Sequence, residues 1–150
     1  MKNKLNKTVS EIRKEAVIET FFRSMKILSA KNPLVSQKEI IEHAVKSMAP
    51  RFFTSYESAR RLVSLMVRKK RLPIINKNKL EMYKEIYRRF IKQSKEAIMN
   101  YGSYRLLEEI IESPAPSFYM DSDTFQGILY KTLRERSSHK YVSSINTDIL

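Results

Sequence analysis

Apolar positions recur along this chain at helical spacing, in blocks separated by proline or by small polar residues. Val17, Ile18, Phe21, Phe22, Met25 and Leu28 form one stripe, Ile40, Ile41, Ala44 and Val45 a second, and Ala59, Leu62, Val63, Met66 and Val67 a third. Each stripe is preceded by a capping box: Thr8-Val9-Ser10-Glu11, Ser36-Gln37-Lys38-Glu39 and Thr54-Ser55-Tyr56-Glu57. The spacing predicts a long helix ending before Asn32-Pro33, a shorter one to about Ser47, and a third over 55–70. Pro73, in the connector Arg71-Leu72-Pro73-Ile74-Ile75-Asn76, prevents the third helix from running on. Tyr83, Ile86, Tyr87, Phe90 and Ile91 then predict a helix from Lys79 to about Met99. Asn100-Tyr101-Gly102 predicts a break, followed by a short helix over Ser103–Glu112. Asp121 is a good N-cap for a last helix burying Phe125, Ile128, Leu129 and Leu133. No stretch alternates as a half-buried strand does, so the fold class is all-α.

The pattern repeats. Ser47-Met48-Ala49-Pro50-Arg51-Phe52-Phe53 returns as Ser113-Pro114-Ala115-Pro116-Ser117-Phe118-Tyr119, 66 residues later. Sliding Glu15–Arg71 onto Glu81–Ser137 without a gap gives ten identities in 57 positions, among them Glu19/Glu85, Arg23/Arg89, Ser47/Ser113, Ala49/Ala115, Pro50/Pro116 and Phe52/Phe118. That they share one offset argues for a duplicated unit. The predicted organisation is a basic arm over 1–7, a three-helix unit over 8–72, a second over 77–137, and a tail over 138–150. In each proline loop the backbone is extended, so Phe52 and Phe118 should enter the core while Phe53 and Tyr119 point outward as partner contacts.

Composition narrows the chemistry. The chain has 150 residues, a net charge of +13 and no cysteine, which removes disulfides and thiolate metal sites. The start is basic but has no apolar h-region behind it, so no secretory signal is read. No apolar run reaches the ~18 residues a membrane span needs, so no membrane role is expected and a cytoplasmic (bacterial host) or virion location is the default. The charge is uneven: residues 1–95 carry 24 Lys/Arg against 8 Glu, and residues 96–150 carry 5 Lys/Arg against 8 Asp/Glu. Such asymmetry predicts a polyanionic partner for the first half and a different contact, protein or virion assembly, for the second. A homo-oligomer is compatible with either.

The strongest cluster lies on the helix 55–70. Arg60, Ser64, Arg68 and Arg71 recur along the face opposite its apolar stripe, Arg61, Lys69 and Lys70 flank them, and Lys77 and Lys79 extend the charge. Cations on one surface are what DNA phosphates require. The competing explanation is a solvated helix face, which needs no ligand. The middle of each unit resembles a helix-turn-helix, with 55–70 as recognition helix and Ser55, Tyr56, Ser58, Arg60 and Arg61 facing base edges. The turn is longer than usual, and its charge sits late in the helix, where it suits phosphate anchoring better than base reading. The second unit, with Glu108, Glu109, Glu112, Asp121 and Asp123, suits packing or protein contact.

No catalytic constellation emerges. His43 and His139 lack a second metal ligand at usable spacing, and both glycines, Gly102 and Gly127, lie outside any phosphate-loop pattern. Arg134, Arg136, His139 and Tyr141 crowd into eight residues, whereas a strand-cleaving tyrosine site draws its groups from separate elements. Neither an enzyme nor a cofactor or metal is expected. The loop pattern Ala-Pro-x-Phe-(Phe/Tyr), carried by Ala49, Pro50, Phe52, Phe53 and by Ala115, Pro116, Phe118, Tyr119, is similar to one in small uncharacterised proteins of bacterial phages and mobile elements. That resemblance implies a phage or mobile-element setting and no particular activity. The reading is therefore a DNA-binding protein, with a virion structural or interaction component as the alternative.

Overall fold

The computed structural model describes the backbone of residues 7–73 and 75–149, and their side chains outside 95–103 and 139–149. The basic arm over 1–6 and the side chains of His139 and Tyr141 thus lie outside the described residues. The fold is all-α. Helix α1 spans Val9–Lys31, α2 Gln37–Val45, α3 Tyr56–Val67, α4 Lys77–Glu112 and α5 Ser122–Ile149. Among the described residues no strand forms beyond a single antiparallel bridge between Ala49 and Ala115.

Local sequence explains most helix starts. Thr8 accepts from Glu11 N at 3.1 Å and Ser36 from Glu39 N at 3.1 Å, as the capping boxes predict. The third start is shifted by one residue. Ser55, not Thr54, is the N-cap, accepting from Ser58 N at 3.1 Å. The Thr54 hydroxyl is engaged elsewhere, 2.8 Å from the Tyr83 hydroxyl in a buried hydrogen bond to α4. Asn76 caps α4 through Lys79 N at 2.8 Å, and Asp121 caps α5 through Thr124 N at 2.7 Å.

Two helices run longer than the sequence predicts. α4 passes through Asn100-Tyr101-Gly102 without a break, and α5 extends to Ile149 through the predicted tail. Neither stretch contains proline, and a helical glycine costs only about 1 kcal/mol, which neighbouring turns outweigh. α3, by contrast, stops early, at Val67.

The compact units are not the predicted ones. One unit comprises the described residues of Met1–Val45 and Asp121–Leu150, and the other is Lys46–Met120. The predicted units 8–72 and 77–137 are continuous in sequence, but the last helix of each packs with the other copy. In the discontinuous unit α1 packs on α2, and α5 packs on both. Its core is Ala16, Val17, Ile18, Phe21, Ile40, Ile41, Ala44 and Val45 with Phe125 and Leu129, all buried. Ser24, 1% exposed, ties α1 to α2 through its hydroxyl, 2.8 Å from His43 Nδ1. In the continuous unit α3 packs on α4, burying Ala59, Leu62 and Val63 against a core that includes Met82, Tyr83, Ile86, Leu106 and Leu107. The discontinuous unit thus receives two helices from the first sequence repeat and one from the second, and the continuous unit one helix from each. The helix pair predicted to form a helix-turn-helix, 37–45 and 56–67, is divided between the units, with residues 46–55 between the two helices.

The continuous unit holds both proline loops. Ala49 N–H donates to Ala115 O and Ala115 N–H to Ala49 O, each at 2.9 Å, a reciprocal pair between repeat-equivalent residues. Phe52 N–H donates to Ile111 O at 2.9 Å. Phe52 and Phe118 are 1% and 2% exposed, as predicted. Phe53 and Tyr119 are half-buried rather than outward-facing. The Phe53 ring lies against Phe118 at 5.7 Å between centroids, and the Tyr119 ring stacks on Phe52 at 6.0 Å. Each loop's second ring therefore covers the other loop's buried phenylalanine.

Several residues identical between the repeats converge on this junction. Glu85 accepts from Arg89 Nε at 2.8 Å, and Arg89 Nη1 donates to Ser113 Oγ at 3.1 Å and to Pro114 O at 3.0 Å. The Arg89 guanidinium also lies over the Phe52 ring, 4.9 Å from its centroid. Glu85 takes a second arginine, Arg88, at 2.7 Å, and these hydrogen bonds hold its carboxyl at about 2, against an ordinary 4.5.

Candidate nucleic-acid interface

The outer face of α3 carries the charge that the sequence singled out. The buried stripe Ala59, Leu62 and Val63 fixes the helix's rotation, so Arg60, Arg61 and Arg68 face solvent, with Ser64 half-buried among them. These four residues, with Glu57, Ser58 and Leu65, line one shallow concavity of about 310 Å³. Arg60 is partly neutralised by Glu57, whose Oε2 accepts from its Nη2 at 3.1 Å. Among the described residues, Arg61, Arg68, Lys69, Lys70, Arg71, Lys77 and Lys79 form no ion pair and all are exposed.

The end of α3 has a specific geometry. Lys69 N–H donates to Met66 O at 3.1 Å and Lys70 N–H to Leu65 O at 2.9 Å, closing a Schellman motif. The motif places its fifth residue, the one before last, in the left-handed region, where glycine is usual. Here that residue is Lys69, with φ of 54°. A side chain in that region costs roughly 1 kcal/mol. Arg68, Lys69, Lys70 and Arg71 are all exposed along this turn. Arg68 and its neighbours lie at the negative end of the helix dipole, which favours them without any ligand.

Lys77 and Lys79 sit in the opposite situation. They occupy the first turn of α4, which contains no acidic residue. Cations at a helix N-terminus face the positive end of the dipole and lose a few tenths of a kcal/mol, up to about 1. The sequence marked these lysines as charge but did not show that their helix begins at Asn76. With Lys69, three cations in the stretch 60–79 stand where the backbone disfavours them.

The base-reading assignments fare differently. The Ser55 hydroxyl is occupied with the cap of α3, accepting from Ser58 N–H, while Ser58 borders the concavity with Arg60 and Arg61. Tyr56 packs on Tyr104 of α4, ring centroids 4.3 Å apart. A second groove, about 400 Å³, runs here between α3 and α4, and its lining includes Tyr56, Arg60, Ser64, Val67, Arg68, Phe90 and Tyr104. Val67 and Ile91, predicted as core, are 47% and 45% exposed, and Val67 borders this groove. The sequence did not single out Tyr104. The long α4 carries it across to α3, and its contact with Tyr56 is 48 positions away in the chain.

Phe53 and Tyr119, expected as partner anchors, form part of the loop junction instead. Burial and the carboxylates of Glu85 and Glu81 raise the Tyr119 phenol, against the opposing Arg89 and Arg88, burial being the largest effect. Tyr119 also has φ of 53°, in the left-handed region. Among the described residues no group of three metal-ligating side chains is found, and no helix is long and apolar enough to cross a membrane. Comparison with protein-family models, with curated proteins and with solved structures returns no match.

Proposed function

We propose that this is a non-enzymatic protein that binds double-stranded DNA, chiefly through its phosphates, by the outer face of α3, the turn that follows, and the first turn of α4. The observation that carries the reading is the placement of Lys69, Lys77 and Lys79. Each is a cation at a position its local backbone penalises, and each is exposed and outside any ion pair among the described residues. A fold that needed only a soluble surface would favour glycine or asparagine at Lys69 and acidic residues at the start of α4. A polyanion lying along 60–79 offsets both costs. Ser24 and His43, which have the spacing of a nucleophile and base, do not support hydrolysis, because Ser24 is buried at 1% exposure between α1 and α2.

The test is duplex-DNA affinity measured across salt concentration. Seven phosphate contacts from Arg61, Arg68, Lys69, Lys70, Arg71, Lys77 and Lys79 predict a log–log slope of about −6. Lys70→Ala and Arg71→Ala should each make it shallower by about one. A slope near zero, or one that no substitution within 60–79 alters, contradicts the proposal.

A further inference from the structure

We propose that the groove between α3 and α4 seats a short single-stranded nucleic-acid segment, with a base against the Tyr56–Tyr104 pair and a phosphate on Arg68. This goes a step beyond duplex anchoring and rests on that reading only for the polyanionic nature of the partner.

Tyr104 is 58% exposed, unusual for a ring that could have packed inward, and its tilted contact with Tyr56 makes a two-ring wall. The floor is apolar: Val63 and Leu107 are buried there at 4% and 3%, with half-buried Phe90 beside them. What remains accessible is chiefly aromatic and cationic, with Val67 an exposed aliphatic at the border, a combination that suits a base and its phosphate better than a leucine-rich peptide.

The groove also has a direction. Tyr56 and Arg68 stand at opposite ends of α3, ~18 Å apart at 1.5 Å per residue, so more than one nucleotide can lie along it. Carboxylates mark the tyrosine end. Glu108 raises the Tyr104 phenol, and Glu57 holds Arg60 at 3.1 Å. A phosphate is repelled there and drawn to Arg68, whose Nε donates within its own helix to Ser64 O at 3.4 Å and which forms no ion pair among the described residues. Bases tolerate neutral tyrosine faces beside carboxylates, and the strand's backbone does not. The charge pattern thus sets base at one end and phosphate at the other.

The chain has no tryptophan and eight tyrosines, so tyrosine fluorescence reports binding, and the affinity change in a Tyr104 variant locates it to the groove. The full chain is titrated with oligothymidylate and, separately, with duplex DNA of equal length. The proposal predicts quenching by oligothymidylate, with Tyr104→Ala weakening that binding roughly tenfold, within the 5- to 150-fold expected from one stacked base, and Tyr104→Phe retaining it. Duplex affinity should change less than about twofold in Tyr104→Ala. Val67→Glu, at a solvent-facing position, should also weaken oligothymidylate binding, and supplies the test should Tyr104→Ala fold poorly. Unchanged oligothymidylate affinity in both variants overturns the proposal, as does equal loss of both DNA forms in a folded Tyr104→Ala. Failure to bind oligothymidylate while an acidic amphipathic peptide quenches the tyrosines also overturns it. Normal oligothymidylate binding with no duplex binding contradicts the duplex reading alone.

Discussion

Lys69 shows how a single residue can carry information that its chemical type does not. In the sequence it is one of four successive cations, and its position in a left-handed turn depends on α3 ending at Val67 rather than at 70. Lys69→Gly removes the side chain from that conformation, and should raise stability by about 1 kcal/mol in chemical denaturation while weakening duplex binding severalfold. Opposite signs for the two effects separate a functional cation from a decorative one. Glu85 makes a second residue-scale prediction. Its folded carboxyl titrates at about 2 against 4.5 for the ordinary group, so its contribution to stability is complete above 4.5 and lost as pH falls toward 2. Glu85→Gln should flatten the acid limb of a stability–pH profile in that window and leave its shape near neutrality unchanged. The inward direction of Phe52 and Phe118 was legible, because an extended loop alternates sides. The half-burial of Phe53 and Tyr119 was not, because it depends on two loops 66 residues apart meeting in space.

The helices were legible wherever a cap, a stripe and a proline agreed. α1, α2 and the start of α5 follow their signals closely, while α4 and α5 outrun them because a single glycine or a weakly periodic tail does not stop a helix. Gly127 illustrates this: it lies exposed within α5, and a Cβ built there meets nothing within 4 Å. Gly127→Ala should therefore stabilise the protein by roughly 1 kcal/mol, read as a rise in the denaturation midpoint. The loop junction should respond in the opposite sense. Ala49 and Ala115 are 1% and 0% exposed and exchange both backbone hydrogen bonds, so Ala115→Leu overfills a closed site and should cost about 1–3 kcal/mol. Local signals could not show that the last helix of each repeat packs with the other repeat, because a stripe at helical spacing states which face is buried and not against which partner.

Across the molecule, five of the ten repeat identities and most of the excess cations answer different needs, Arg68, identical to Arg134, being the cation common to both sets. Glu85, Arg89, Ser113, Ala49, Ala115 and Phe52 all belong to the packed junction, which explains their persistence without any ligand. The cations of 60–79 mostly lack counterparts in the second repeat, where Gln126-Gly127 stand opposite Arg60-Arg61, and they face solvent. The proposed function accordingly assigns DNA binding to one stretch of the chain, 60–79. Lysine acetylation with and without bound duplex DNA tests that claim most directly, since it reads each side chain in the intact protein. Lys69, Lys70, Lys77 and Lys79 should be protected, while Lys31, Lys38 and Lys131 react as in the free protein. Protection spread evenly over all lysines, or centred on those of α1 and α5, would contradict the account.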